Sequence, residues 1–170
     1  MPATPTLDVE LFMNVGNSIL EAAAAALECY DLEVPDRLFV GFEEPPQDCC
    51  PELVAWLGNV RTWDGDFSDT RISTNLQHHW GYAFDCTIRI GRCYVDVDEK
   101  GQPVDADTLA DWTQALYADA TALYFGWLRQ WSSGSVTELV KCDLVNAGVL
   151  SQYKSGGCAG HQFTVTVGMF

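Results

Sequence analysis

Apolar positions along this chain change period several times, and each change marks an element. From about residue 8 to 30, Phe12, Val15, Ile19, Ala23, Ala26 and Tyr30 recur at helical spacing. The run "EAAAAALE" inside that stretch is strongly helix-forming and gives a flat face that lets a sheet or another subunit come close. "DRLFVGF" (36–42) then alternates, with Leu38, Val40 and Phe42 on one side, and predicts a short strand. "EEPPQDCCP" (43–51) is a loop, because proline breaks both ladders and helices. "ELVAWLGNV" (52–60) fits a helix opened by Pro51 or a buried strand, and its Val, Trp and Leu favour the strand. Residues 62–75 are turn-rich and acidic and predict an exposed loop.

The clearest strand is "GYAFDCTIRIGRCYVDVD" (81–98). Tyr82, Phe84, Cys86, Ile88 and Ile90 hold the even positions, and after Gly91 the apolar parity moves to Cys93, Val95 and Val97. One extra residue at Gly91–Arg92, a β-bulge, accounts for the flip and predicts Cys86 and Cys93 on one face. At about 3.3 Å per residue those thiols stand roughly 20 Å apart, too far for a disulfide. After a turn at 98–103, Asp105 caps a helix of about 105–131, with Asp107 in its first turn. Leu109, Trp112, Leu116, Ala120, Leu123, Trp127 and Trp131 form its stripe, widened by Tyr117, Tyr124 and Leu128, and so broad a stripe predicts packing across a whole sheet. "SSGS" ends the helix, and residues 136–149 alternate again with Val140, Cys142 and Leu144 inward. The last strand sets Phe163, Val165, Val167 and Met169 against Thr164 and Thr166. Strands interrupted by two helices (about 8–30 and 105–131) predict an α+β fold, a mostly antiparallel sheet packed by those helices.

At 170 residues, 48% of them hydrophobic, the chain suits a single domain spanning 1–170. Lys and Arg number 9 against 24 Asp and Glu, a formal charge of -15, so the chain repels nucleic acid instead of gripping it. The sequence offers no long apolar run for a membrane and no basic, apolar leader for secretion. Its seven cysteines (Cys29, Cys49, Cys50, Cys86, Cys93, Cys142 and Cys158) are odd in number and lack a tight framework, which predicts mostly free thiols in a reducing compartment.

Motifs that resemble active centres each fail on chemistry. "DVDEKGQPVDAD" begins like a calcium loop with Asp96, Asp98 and Gly101, but Lys100 stands where an oxygen is needed and Asp107 replaces the final Glu. Cys49, Cys50, His78 and His79 lack zinc spacing, since adjacent residues do not aim two side chains at one metal. "GGCAG" (156–160) opens a strand and not a helix, so it does not cradle phosphate; its glycines suit a tight turn or close backbone approach. No nucleophile elbow surrounds Ser18 or Ser135, and His161, on the parity of Phe163, is expected as a satisfied core or interface histidine. The residues therefore predict no enzyme, no catalytic, cofactor or metal-binding residue and no cofactor. The competing expectation is a small acidic enzyme or ligand-binding domain, its pocket lined by Trp112, Tyr117, Tyr124, Trp127 and Trp131 between helix 105–131 and the sheet.

Several strings taken together resemble a family. The N-terminal helix, "DRLFVGFEEPPQDCCPELVAWLGNV", "FDCTIRIGRCYVDVDEKGQPVDADTLADWTQAL" and "SGGCAGHQFTVTV" are similar to the tail terminator (neck, or head–tail joining) proteins of long-tailed phages with non-contractile tails, the siphovirus type, especially phages of actinobacteria. The resemblance implies a structural virion protein, assembled in the host cytoplasm as a homohexameric ring. Such a ring ends polymerisation of the tail tube and joins tail to head, so its partners are copies of itself, the tail tube protein and the head connector or stopper protein. DNA passes the ring's lumen without specific binding, in keeping with carboxylates that repel it. A head-completion or stopper protein of the same neck is a close alternative.

Overall fold

The structure, a computed structural model, describes residues 9–46, 51–63, 81–94, 102–134, 142–155 and 157–169. Helix α1 (Val9–Cys29) is followed by strands β1 (Arg37–Gly41), β2 (Glu52–Trp63) and β3 (Gly81–Cys93). Helix α2 (Ala106–Thr121) passes through one π turn (Ala122–Gly126) into α3 (Trp127–Ser132), and β4 (Asp143–Ala147), β5 (Ser151–Ser155) and β6 (Cys158–Met169) complete the order. The fold is α+β. The sheet runs β1-β2-β3-β6-β4, with β5 also paired to β6; β1 and β2 are parallel and every other described pair is antiparallel. The expected helices over 8–30 and 105–131 are present, and 52–60 is strand.

One face of the sheet carries the core, and the period of two explains which. Phe84, Cys86, Ile88 and Ile90 of β3 lie beside Leu53, Ala55 and Leu57 of β2 and Phe163, Val165 and Val167 of β6, all essentially excluded from solvent. Both helices cover this face. From α1, Phe12 meets Phe84 edge-on at 5.1 Å, and from the second helix Trp127 and Tyr124 meet Phe163 at 5.5 and 5.3 Å. The alanine run does what its flatness suggests: Ala22, Ala23 and Ala26 are fully buried, and the adjacent carbonyl of Ile19 accepts a hydrogen bond from Trp127 Nε1 at 3.1 Å.

Four expectations change. β3 has no bulge at Gly91–Arg92, for its register with β6 is unbroken from Tyr82↔Met169 to Cys93↔Cys158. The even parity simply continues to Arg92, which takes an inward slot by pairing with Asp119 of α2. Cys86 is therefore buried and Cys93, on the other face, is exposed. The irregularity in these strands lies on β2, between Leu57 and Val60.

The long stripe packs over only half its length: Ala120, Ala122, Leu123 and Trp127 are buried, while Leu109 and Tyr117 are exposed. Of the residues expected inward around β1, Leu38 and Phe42, which follows the strand, are exposed, and Val40 packs against the core. Finally, β5 is a strand that the polar "SQYKS" does not advertise.

β6 occupies the interior of the sheet, bonded to β3 along one side and to β4 and β5 along the other. Its glycine-led start has a steric purpose. A Cβ at Gly160 would sit 1.9 Å from the carbonyl oxygen of Ile90, and the Tyr153 ring covers the same position, so only glycine allows that approach. Residues 64–75, 95–98 and 136–141 of the expected loop and strands lie outside the described residues.

Candidate functional site

Two polar features interrupt this framework, one on each face of the sheet. On the open face, Arg89 of β3 is wholly buried. Its Nε and Nη2 donate to Oε1 of buried Glu52 at 3.1 and 2.9 Å, Nη2 also donates to the Pro45 carbonyl at 3.1 Å, and Nη1 donates to Glu44 at 2.9 Å. The guanidinium lies 5.2 Å from the Trp56 ring and 5.3 Å from the Tyr153 ring. β1 and β2 are parallel neighbours, and Arg89 holds the start of the segment that leaves β1, through Glu44 and Pro45. Around it, the open face is polar: the Thr87 and Thr164 hydroxyls share a hydrogen bond at 2.8 Å, and Asp85 accepts from Thr166 at 2.7 Å and pairs with Arg61 at 3.3 Å.

On the helical face, the unpacked half of α2 stands away from the β5–β6 hairpin and leaves a cleft of about 500 Å³. Tyr94, Thr113, Tyr117, Gln152, Lys154 and His161 contribute to its walls. Lys154 Nζ sits 4.4 Å over the Tyr94 ring, which itself meets Trp112 edge-on at 5.0 Å. His161 is buried, as its parity requires, but it is not the satisfied histidine the sequence suggests: Nδ1 has no hydrogen-bond partner among the described residues. Burial pushes its pKa below the usual histidine range, partly opposed by the Asp119 carboxylate. Asp119 is itself held by Arg92 through two 2.8 Å bonds, and Arg92 also donates to the Glu33 carbonyl at 2.7 Å. Those paired hydrogen bonds to Asp119 raise the Arg92 pKa against its partial burial.

The aromatic residues expected to line a pocket mostly do otherwise. Trp127 is core, Tyr124 packs on Phe163, and Trp131 leans on Trp127 at 5.3 Å. Tyr117 lines the cleft beside His161, while Trp112 lines a second hollow with Arg92 and Asp119. Asp105 caps α2, accepting from the Thr108 amide at 2.9 Å, and Asp107 lies in the first turn. Cys49, Cys50, His78, His79, Asp96, Asp98, Lys100, Gly101 and Ser135 lie outside the described residues, whereas Ser18 is buried in α1. Among the described residues, no group of three or more His, Cys, Asp or Glu side chains is placed to hold a metal ion, and no helix is long and apolar enough to cross a membrane.

Sequence reasoning misses Arg89 because a charged residue on the outward parity reads as solvated. Its signal was the isolated Arg in "TIRIG", facing Glu52 once β2 and β3 are paired. No family model matches this sequence, and no curated protein matches it.

Proposed function

We propose that this chain is the repeating subunit of a ring at the head-proximal end of a phage tail tube, a tail terminator whose task is contact and not catalysis. The observation that carries the reading is the placement of the strings that resemble that family. "FDCTIRIGRC" forms β3, "DADTLADWTQAL" starts the long helix, and "CAGHQFTVTV" forms the interior strand β6, so the likeness falls on the framework of the fold. Two further features support it. Among the described residues, the sheet has two different edges, β1 on one side and β4 with β5 on the other, and unlike edges suit head-to-tail contacts, which close into rings. Apolar side chains also crowd the β1 edge, where Leu38, Phe39 and Phe42 are all exposed.

The acidic balance fits a lumen that DNA traverses without sticking. Negative-stain images of the purified chain, and antibody labelling of virions, test the proposal. A ring, with label confined to the junction of head and tail, is the expected result. Label along the whole tail, or on the capsid alone, would refute it. A ligand-binding domain is the second reading, favoured by the cleft at His161 and Lys154. A compact monomer that co-purifies with a metabolite would establish that reading instead.

A further inference from the structure

We propose that Cys93 and Cys158 are a redox pair that closes into a reversible intrachain disulfide. They are register partners, directly opposite on the antiparallel ladder of β3 and β6. Their type of pairing follows from the next rung, where the Tyr94 amide donates to the Gly157 carbonyl at 2.6 Å. Tyr94 and Gly157 are thus a hydrogen-bonded rung, and because rungs alternate, Cys93 and Cys158 form a non-hydrogen-bonded one. Such rungs hold their Cα atoms about 4.5 Å apart with both side chains on the same face. A disulfide accepts Cα separations of about 4.4–6.8 Å, so closure asks for side-chain rotation and little backbone movement. No other described cysteine stands in this relation. Cys86 points into the core from the opposite face of β3, about 23 Å from Cys93 along the strand.

Access is divided in a way that orders the chemistry. Cys93 is exposed and Cys158 is buried. With a low-molecular-weight disulfide as oxidant, the Cys93 thiolate attacks one oxidant sulfur, the oxidant S–S bond breaks and one thiolate leaves. The Cys158 thiolate then attacks the Cys93 sulfur and displaces the second thiolate. The two protein thiols give up two electrons and two protons, and the oxidant is recovered as two thiols. The new bond ties the end of β3 to the start of β6 and closes the loop that contains α2, α3, β4 and β5. The pairing does not depend on the ring reading. If that reading holds, the pair is reduced during assembly in the host and oxidises once particles are released.

The full chain is incubated with oxidised glutathione, alkylated while still native, digested and mapped by mass spectrometry. The expected product is a peptide linking Cys93 to Cys158, absent from Cys93→Ser, retained in Cys29→Ser and reversed by dithiothreitol. The oxidised chain is expected to melt about 10 °C higher than the reduced one. Recovery of Cys93 only as a glutathione adduct, or joined to any cysteine other than Cys158, overturns the pairing. A linked peptide with no rise in melting temperature overturns its role as a staple.

Discussion

Removing the Arg89 guanidinium, for instance by Arg89→Met, tests whether the open face of the sheet is organised by one buried charge. Met keeps an unbranched side chain that still packs between Trp56 and Tyr153, so the perturbation falls on charge and hydrogen bonding. Arg89 makes two bonds to buried Glu52, one to the Pro45 carbonyl and one to Glu44. Glu44 is 54% exposed, so its pair with Arg89 contributes about 1 kcal/mol at most. Glu52 is only 2% exposed, and without Arg89 its ion pair among the described residues is with Arg37, at 3.6 Å. Breaking a buried pair from one side typically costs about 3–5 kcal/mol, because the remaining charge is stranded. The loss therefore belongs mainly to Glu52, and Glu44→Ala should cost about a quarter as much or less.

Replacing both partners (Arg89→Met with Glu52→Met) removes the stranded charge and should recover most of the loss. Urea unfolding followed by circular dichroism measures all four proteins, and for a chain of this length the single Arg89→Met change corresponds to a melting temperature lower by about 10 °C. If Glu44→Ala proves as damaging as Arg89→Met, or if the double variant is no more stable than Arg89→Met alone, the assignment of the energy to the Arg89–Glu52 pair is wrong.

Other expectations follow from the same geometry. Trp127→Ala empties the space between α1 and Phe163 and removes the bond to the Ile19 carbonyl; denaturant titration should show a loss of about 3–5 kcal/mol. His161 has a folded pKa below the ordinary 6.5, so the unfolded chain binds the proton more readily. Its contribution is intact above pH 6.5 and declines as pH falls from there toward the lowered value. Melting curves across that interval should fall less steeply for His161→Phe, and an unchanged slope would remove His161 from the account. The Cys86 thiol, pushed up to about 12 chiefly by burial, should resist iodoacetamide in the native protein while Cys29 and Cys93 react. Deleting residues 161–170 takes most of β6 from between β3 and β4, and the product should be unfolded by circular dichroism.

What the sequence discloses here depends on how local the determining contact is. The even-numbered apolar run from Tyr82 to Ile90 and the odd-numbered run from Phe163 to Met169 are local signals, and each names the buried face correctly. Asp105 as a cap is equally local, since its partner Thr108 is three residues on. Arg92 misleads because its partner, Asp119, lies on a different element: an inward arginine with a distant carboxylate is indistinguishable in sequence from a parity flip. β5 is hidden for a related reason. Its residues are mostly polar, with Ser151, Gln152 and Lys154 exposed, so its ladder to β6 is what reveals it.

The half-empty stripe of α2 has a geometric origin. Within α2 burial begins only at Asp119, and periodicity reports which side of a helix is apolar without reporting how closely the neighbouring layer approaches. Of the candidate site, the parity of His161 was legible, while the unpartnered nitrogen and the cleft depend on β5 and could not be.

The central claim, that this chain ends a growing tail tube, is tested most directly by the length of tails assembled in its absence. Infected cells carrying a nonsense mutation in the coding sequence should yield tails of uncontrolled, extended length that do not join heads, and supplying the chain in trans should restore a single length. Tails of normal, uniform length attached to heads without it would contradict the account.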